Sequence, residues 1–228
     1  MKTTLIMPTL NEIDGVKALM PRIKREWFDE IIVVDGGSTD GTCEWLAENN
    51  WRVIKQEKPG IGNAYRQAHA VSTGDVLVTF SPDGNSDASR IPALLDEMRK
   101  GHDMVIVSRY KDWAKSEDDD FLTAFGNKLF TFIINTLFGG SYSDTLVIFR
   151  AYKRDLLQRL EIDAPHLTYD AQISIRAAKM KVKVSEIPGN EPKRIGGNRK
   201  MNPFFTGGDI VVEILKNLFW APASGGRR

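Results

Sequence analysis

The chain has 228 residues, 42% of them apolar and 27% charged, which suits one medium-sized soluble domain with a full core. A formal net charge of +1 excludes broad electrostatic binding of nucleic acid, so any attraction for phosphate has to be local. The single cysteine, Cys43, excludes an intramolecular disulfide and fits a reducing compartment, and His69, His102 and His166 lack metal-ligand spacing.

In chain order, residues 4–7 form a short apolar strand that Pro8 ends, and 16–26 a helix with Leu19, Met20 and Ile23 on one face. Residues 30–35 are a second strand, whose unbroken Ile-Ile-Val-Val predicts burial on both faces of a parallel sheet. A helix over 39–49 follows, with Ser38 or Thr39 available as its N-cap. Further strands span 52–56, 75–80 and 103–108, with helices over 62–72 and 91–99. This alternation predicts an α/β fold built on a doubly wound sheet. Such sheets bind ligands beyond the carboxyl ends of their strands, where the chain order reverses.

After Arg109 the pattern changes to a polar, acidic loop over 111–120 and an amphipathic run over 121–138. A strand over 146–152, a helix over 169–179 and a last strand over 182–187 follow, then a basic, glycine-containing loop over 190–203. The expected organisation is one domain over 1–203, with 204–228 as an amphipathic helix and tail. Phe204, Phe205, Leu215, Leu218, Phe219 and Trp220, with Lys216, Arg227 and Arg228, suit docking on the domain, on a second subunit in a homo-oligomer, or at a membrane interface. The N-terminus runs straight into a strand, and the most apolar stretch, 129–138, is much shorter than the ~20 residues of a membrane span. The expectation is a cytoplasmic protein, with peripheral membrane contact left open.

Acidic or amide side chains follow three of the early strands: Asn11 and Glu12, then Asp35, then Asp83 and Asn85. Any one of them reads as a turn former. Three at the carboxyl ends of one sheet read better as a ligand crevice, able to accept hydrogen bonds from a base or ribose and to hold a divalent cation through hard oxygens.

Seven motifs then occur in order: Met7-Pro8-Thr9-Leu10-Asn11-Glu12; Val33-Val34-Asp35-Gly36-Gly37-Ser38-Thr39-Asp40-Gly41-Thr42; Lys58-Pro59-Gly60-Ile61-Gly62-Asn63-Ala64; Gly74-Asp75-Val76 leading to Ser81-Pro82-Asp83-Gly84; Ser108-Arg109-Tyr110; Ser143-Asp144 with Phe149-Arg150; and Arg194-Ile195-Gly196-Gly197-Asn198-Arg199-Lys200. With them the chain resembles glycosyltransferase family 2, and most of all its dolichyl- or polyprenyl-phosphate sugar synthase branch. The resemblance implies a GT-A fold: a Rossmann-like, doubly wound, mixed but mainly parallel sheet flanked by helices. It implies a nucleotide diphosphate sugar donor (GDP- or UDP-linked), inversion at the anomeric carbon, and a polyprenyl phosphate or saccharide acceptor. Pro8, Leu10 and Glu12 would line the nucleotide pocket, Asp35 would meet the nucleoside, and the loop ending at Gly62 would let backbone approach it. Asp83, with Asn85 beside it, would ligate Mg²⁺ or Mn²⁺, and Arg109, Arg194 and Lys200 would bind phosphate.

Three departures qualify the resemblance. Ser81 replaces the first of two aspartates usual at the metal turn, leaving Asp83 with Asp87 nearby, which reads better as a helix cap. Gly36 stands where the family often has a second aspartate, and the loop over 115–120 is acidic where lipid-phosphate synthases tend to be basic. A phosphate acceptor needs no general base, whereas a hydroxyl acceptor would, and Asp144 and Asp170 are the candidates. The rival readings are a sugar-nucleotide nucleotidyltransferase, for which Leu10-Asn11-Glu12 is the wrong loop after the first strand, and a non-catalytic sugar-nucleotide binding module.

Overall fold

The computed structural model describes residues 1–196 and 201–222. At its centre lie seven strands: β1 (Thr3–Thr9), β2 (Glu30–Asp35), β3 (Val53–Lys55), β4 (Val76–Thr79), β5 (Met104–Ser108), β6 (Arg150–Lys153) and β7 (Val184–Pro188). They form one sheet in the order β3-β2-β1-β4-β6-β5-β7. Neighbours are parallel except at β6, which is antiparallel to both β4 and β5. The chain steps outward from β1 through β2 to β3, then returns to lay β4 on the other side of β1. The reversal point therefore sits at the carboxyl ends of β1 and β4, where open α/β sheets bind ligands. β4 and β5 are buried along their whole length, as their continuous apolar runs require of strands covered on both faces.

The helices α1 (Ile13–Leu19), α2 (Thr42–Glu48), α3 (Ile61–Val71), α4 (Ile91–Arg99), α5 (Phe121–Phe138), α6 (Arg154–Arg159), α7 (Tyr169–Lys179) and α8 (Pro203–Leu218) flank the sheet. Several boundaries differ from the sequence expectation for identifiable reasons. Pro8 lies inside β1 instead of ending it. Its missing N–H faces the β4 side, and the β1–β4 pairing has already stopped at Ile6. The helix expected over 16–26 stops at Leu19, because Pro21 cannot donate an intrahelical bond, and two 3₁₀ turns carry the chain on to β2. The strand expected from 146 begins only at Arg150. The carbonyls of Thr145 and Val147 instead turn inward to accept from the buried Arg150 guanidinium. The short helix α6 was not expected.

α5 and α8 form an outer layer. Among the described residues α5 is the one helix long and apolar enough, by length and composition alone, to cross a membrane; the stretch 129–138 was only its second half. α8 docks inward through Ile210, Glu213, Ile214 and Asn217, with Gln172 Nε2 donating to Glu213 at 2.7 Å and Arg176 Nε to Asn217 at 2.8 Å. Its outward face leaves Phe204, Phe205, Val212 and Leu215 exposed, alongside Phe121, Phe125 and Phe132 of α5.

Candidate active site

The turns after β1 and β2 are knitted together. Asn11 N donates to Ser38 Oγ at 2.9 Å, Thr39 N to Asn11 Oδ1 at 2.8 Å, and Ile13 N to Asp40 at 3.1 Å. Asp40 also accepts from the Thr42 hydroxyl, which in turn accepts from Glu12 N. These bonds consume Ser38 and Asp40, so α2 starts at Thr42 and not at 39. Their consequence is a fixed, buried Glu12 at the reversal point.

Asp35 does not reach the cavity. Its carboxylate closes its own turn, accepting from Gly37 N at 2.8 Å, Ser38 N at 3.0 Å and Ser38 Oγ at 2.5 Å. Burial pushes this carboxyl up, but the Ser38 and Gly37 hydrogen bonds outweigh it and hold the group below the usual carboxylate range. Next to it, a Cβ on Gly36 would lie 3.1 Å from Gln56 Oε1. Gln56 thus occupies the space where a second aspartate would project, and it lines the cavity.

After β4 the chain turns through Asp83 and Gly84. Gly84 has φ +96°, and a Cβ there would lie 2.6 Å from Ile195 N, so this close approach and left-handed turn require glycine. Ile195 N donates to Asp83 O at 2.8 Å, and Arg194 bridges two carboxylates, Asp83 at 2.6 Å and Glu12 at 3.2 Å. Asp87 caps the next turn by accepting from Ser89 N at 3.0 Å, as its cap reading anticipated.

At the end of β5, Arg109 is buried and already paired. Asp144 takes it in a fork, Nε at 2.7 Å and Nη2 at 3.0 Å, and Glu191 lies 3.3 Å from Nη1. Burial works against the guanidinium charge, yet Asp144 and then Glu191 hold its pKa above the ordinary value. Arg109 touches the cavity as a neutralised wall, not as an open cation for phosphate. Asp144 is wholly buried, and Asp170 lies 3.3 Å from the equally buried Arg150. Burial pushes the Asp170 carboxyl up to about 6, with Arg150 opposing. Neither lines the cavity, because each serves as the counter-charge of a buried arginine; this corrects their expected place as general-base candidates.

One cavity of about 780 Å³ opens beyond the β1 and β4 ends. Pro8, Leu10, Glu12, Asp83, Asn85, Arg109 and Arg194 line it. Gly62 stands behind the wall, where a Cβ would lie 2.2 Å from Ala164 O, so the glycine serves close packing of α3 on the 164–166 segment. Lys200 lies outside the described residues. Sequence reasoning missed Gln56, Asp118, Asp119 and Glu191 on the polar wall, and a whole apolar arm formed by Phe125, Leu129, Phe130, Phe204 and Ile210. The signal for that arm was the run of apolar residues at helical spacing in α5 and α8.

Ser81, Asp83 and Asn85 share one stretch of wall and offer hard oxygens, the donor type Mg²⁺ and Mn²⁺ take. Among the described residues no group of three or more His, Cys, Asp or Glu converges to hold a metal unaided. The guanidinium bridging Asp83 and Glu12 nevertheless marks a place that demands positive charge. These residues fit a divalent ion completed by ligands from a diphosphate and water.

Comparison with known proteins agrees with this architecture. The family model for glycosyl transferase family 2 matches residues 4–161. The chain belongs to glycosyltransferase family 2, and its mixed, mostly parallel sheet is the GT-A fold. A dolichyl-phosphate hexose transferase of Haloferax volcanii is 30% identical over 214 residues, spanning 93% of this chain and 92% of that relative. An undecaprenyl-phosphate mannosyltransferase of Micrococcus luteus is 28% identical over 237 residues, spanning 96% and 93%. Both similarities support the polyprenyl-phosphate sugar synthase branch. Glucosyl-3-phosphoglycerate synthase from Mycobacterium tuberculosis, solved with Mn²⁺, UDP and phosphoglyceric acid, superimposes with a TM-score of 0.75 at 22% identity, over 98% of this chain and 80% of that one. That last likeness is one of fold.

Proposed function

We propose that this glycosyltransferase moves a sugar from a nucleotide diphosphate sugar to a polyprenyl phosphate at a membrane surface, inverting the anomeric carbon. One observation carries the reading: a single cavity joins the Glu12–Asp83 end, suited to a charged donor, to an apolar arm between α5 and α8. A soluble acceptor has no use for such an arm, whereas a long isoprenoid chain does. The exposed phenylalanines of the same two helices would rest in the bilayer boundary, which keeps the protein peripheral. The named relatives from Haloferax and Micrococcus support the acceptor class.

Pro8, Leu10 and Gln56 would wall the nucleoside, and Glu12 would accept hydrogen bonds from it. Asp83, assisted by Ser81 and Asn85, would hold Mg²⁺ or Mn²⁺, which when bound neutralises charge building on the leaving nucleoside diphosphate. Arg194 and Lys200 would take diphosphate oxygens, for which a guanidinium fork is well matched. An acceptor phosphate arrives ionised and needs no base, consistent with the burial of Asp144 and Asp170. A saccharide hydroxyl is the second reading, favoured by the carboxylates Asp118 and Asp119 on the cavity wall.

The test offers radiolabelled UDP- and GDP-sugars with Mn²⁺ to the protein, together with either polyprenyl phosphate in detergent or soluble saccharides. Label passing into the organic phase, and absent from an Asp83→Asn variant, is the expected result. Label appearing in saccharide alone transfers the case to the second reading. Tight donor binding with no transfer in any metal would leave a binding module.

A further inference from the structure

Arg194 sits on a strap, residues 191–196, that crosses the mouth of the Asp83 turn. The strap is pinned at several points. Glu191 N donates to Lys115 O at 2.9 Å, Glu117 N donates to Glu191 O at 2.7 Å, and Ile195 N donates to Asp83 O at 2.8 Å. Gly196, at its end, has φ +68° and approaches so closely that a Cβ there would lie 2.6 Å from Asp14 Oδ2. This seating drives the Arg194 guanidinium between two carboxylates that come from different strand ends, Glu12 after β1 and Asp83 after β4. All three side chains are largely enclosed, with 19%, 7% and 7% exposure for Arg194, Glu12 and Asp83. Two enclosed carboxylates repel unless a cation lies between them.

We propose that Arg194 is the resident counter-ion of the ligand-free donor site, that a divalent cation enters only by displacing it from Asp83, and that the donor diphosphate receives the displaced guanidinium. Arg194 Nη2 holds Asp83 Oδ2 at 2.6 Å, so a cation approaching this carboxylate meets a guanidinium charge already in place. With no cluster of three metal-ligating side chains among the described residues, a metal arriving alone gains at most the carboxylates of Asp83 and Glu12 and must displace the paired guanidinium to reach them. A diphosphate arriving with the metal changes the balance, because its oxygens ligate the cation and also accept the Arg194 fork. Metal and nucleotide therefore bind with strong mutual coupling, and each raises the affinity of the other by the same factor. Loss of the usual second aspartate at Ser81 sharpens this dependence. The inference rests on the donor-site reading above.

The experiment titrates Mn²⁺ by electron paramagnetic resonance and calorimetry into wild type, Arg194→Gln and Arg194→Lys, first alone and then with UDP or GDP. Arg194→Gln should melt lower than wild type without metal, bind Mn²⁺ alone on the order of tenfold more tightly, and recover its melting temperature when Mn²⁺ is added. Arg194→Lys, which keeps a competing charge, should stay close to wild type with metal alone. In wild type, UDP or GDP should raise Mn²⁺ affinity strongly. Equal Mn²⁺ affinity of wild type and Arg194→Gln in the absence of nucleotide overturns the proposal, even where the variant loses nucleotide binding. Should Arg194→Gln not fold, wild type decides: Mn²⁺ binding that is indifferent to nucleotide overturns it. A protein that binds neither UDP nor GDP in any metal defeats the glycosyl-transfer reading instead, while the metal-alone comparison still decides the place of Arg194.

Discussion

Asp144→Asn separates the two roles that Asp144 has been given. The sequence offers it as a general base, whereas the structure makes it the partner of a buried cation. The substitution keeps shape and one acceptor oxygen while removing the charge. Asp144 is wholly buried and grips Arg109 at 2.7 and 3.0 Å, so the loss leaves a buried guanidinium short of its principal counter-charge. Breaking such a pair costs roughly 3–5 kcal/mol. Glu191 at 3.3 Å and Asp119 at 3.8 Å remain near Nη1, which places this case at the lower end, about 3 kcal/mol. For a chain of this size that corresponds to a fall in Tm of roughly 6–12 °C. Urea unfolding of Asp144→Asn, Arg109→Gln and the double variant should yield a coupling energy of roughly 1.5–3 kcal/mol. A variant that unfolds at the wild-type urea midpoint while losing turnover would refute this reasoning and restore Asp144 as a base.

Asp170 gives a pH signature. Burial raises its folded pKa to about 6, above the ordinary aspartate value of 3.8, so its contribution to stability is fully present below about 4 and is lost as pH rises through about 6. Relative to Asp170→Asn, wild type should lose at most roughly 3 kcal/mol between pH 4 and 7, with a flat difference above; a flat difference throughout would place the titration elsewhere. On the outer layer, Phe121 and Phe219 are 88% and 91% exposed, so nothing among the described residues covers them. Phe121→Ser with Phe219→Ser should leave the urea midpoint within about 0.5 kcal/mol of wild type. It should weaken co-sedimentation with anionic vesicles by roughly tenfold or more. Undiminished vesicle binding would move the membrane face away from α5 and α8.

Local sequence by itself determined the alternation of strands and helices, the parallel character of the first four strands, and the acidic end of the cavity. The apolar runs of β2, β4 and β5 suit strands covered on both faces, and Glu12 and Asp83 follow strands whose order reverses between them. Tertiary structure decided which charges line the cavity. Asp35, Asp144, Asp170 and Arg109 look in sequence much like Glu12, Asp83 and Arg194, yet their partners lie far along the chain: Arg109 meets Asp144 and Glu191, and Arg194 meets Glu12. Whether a carboxylate lines the cavity or is sealed behind it depends on burial and on contacts between distant segments, which no local pattern encodes. The apolar arm of the cavity was hidden for the same reason. The helical spacing of α5 and α8 was legible, but a channel exists only because the two helices pack side by side with part of their apolar faces unspent.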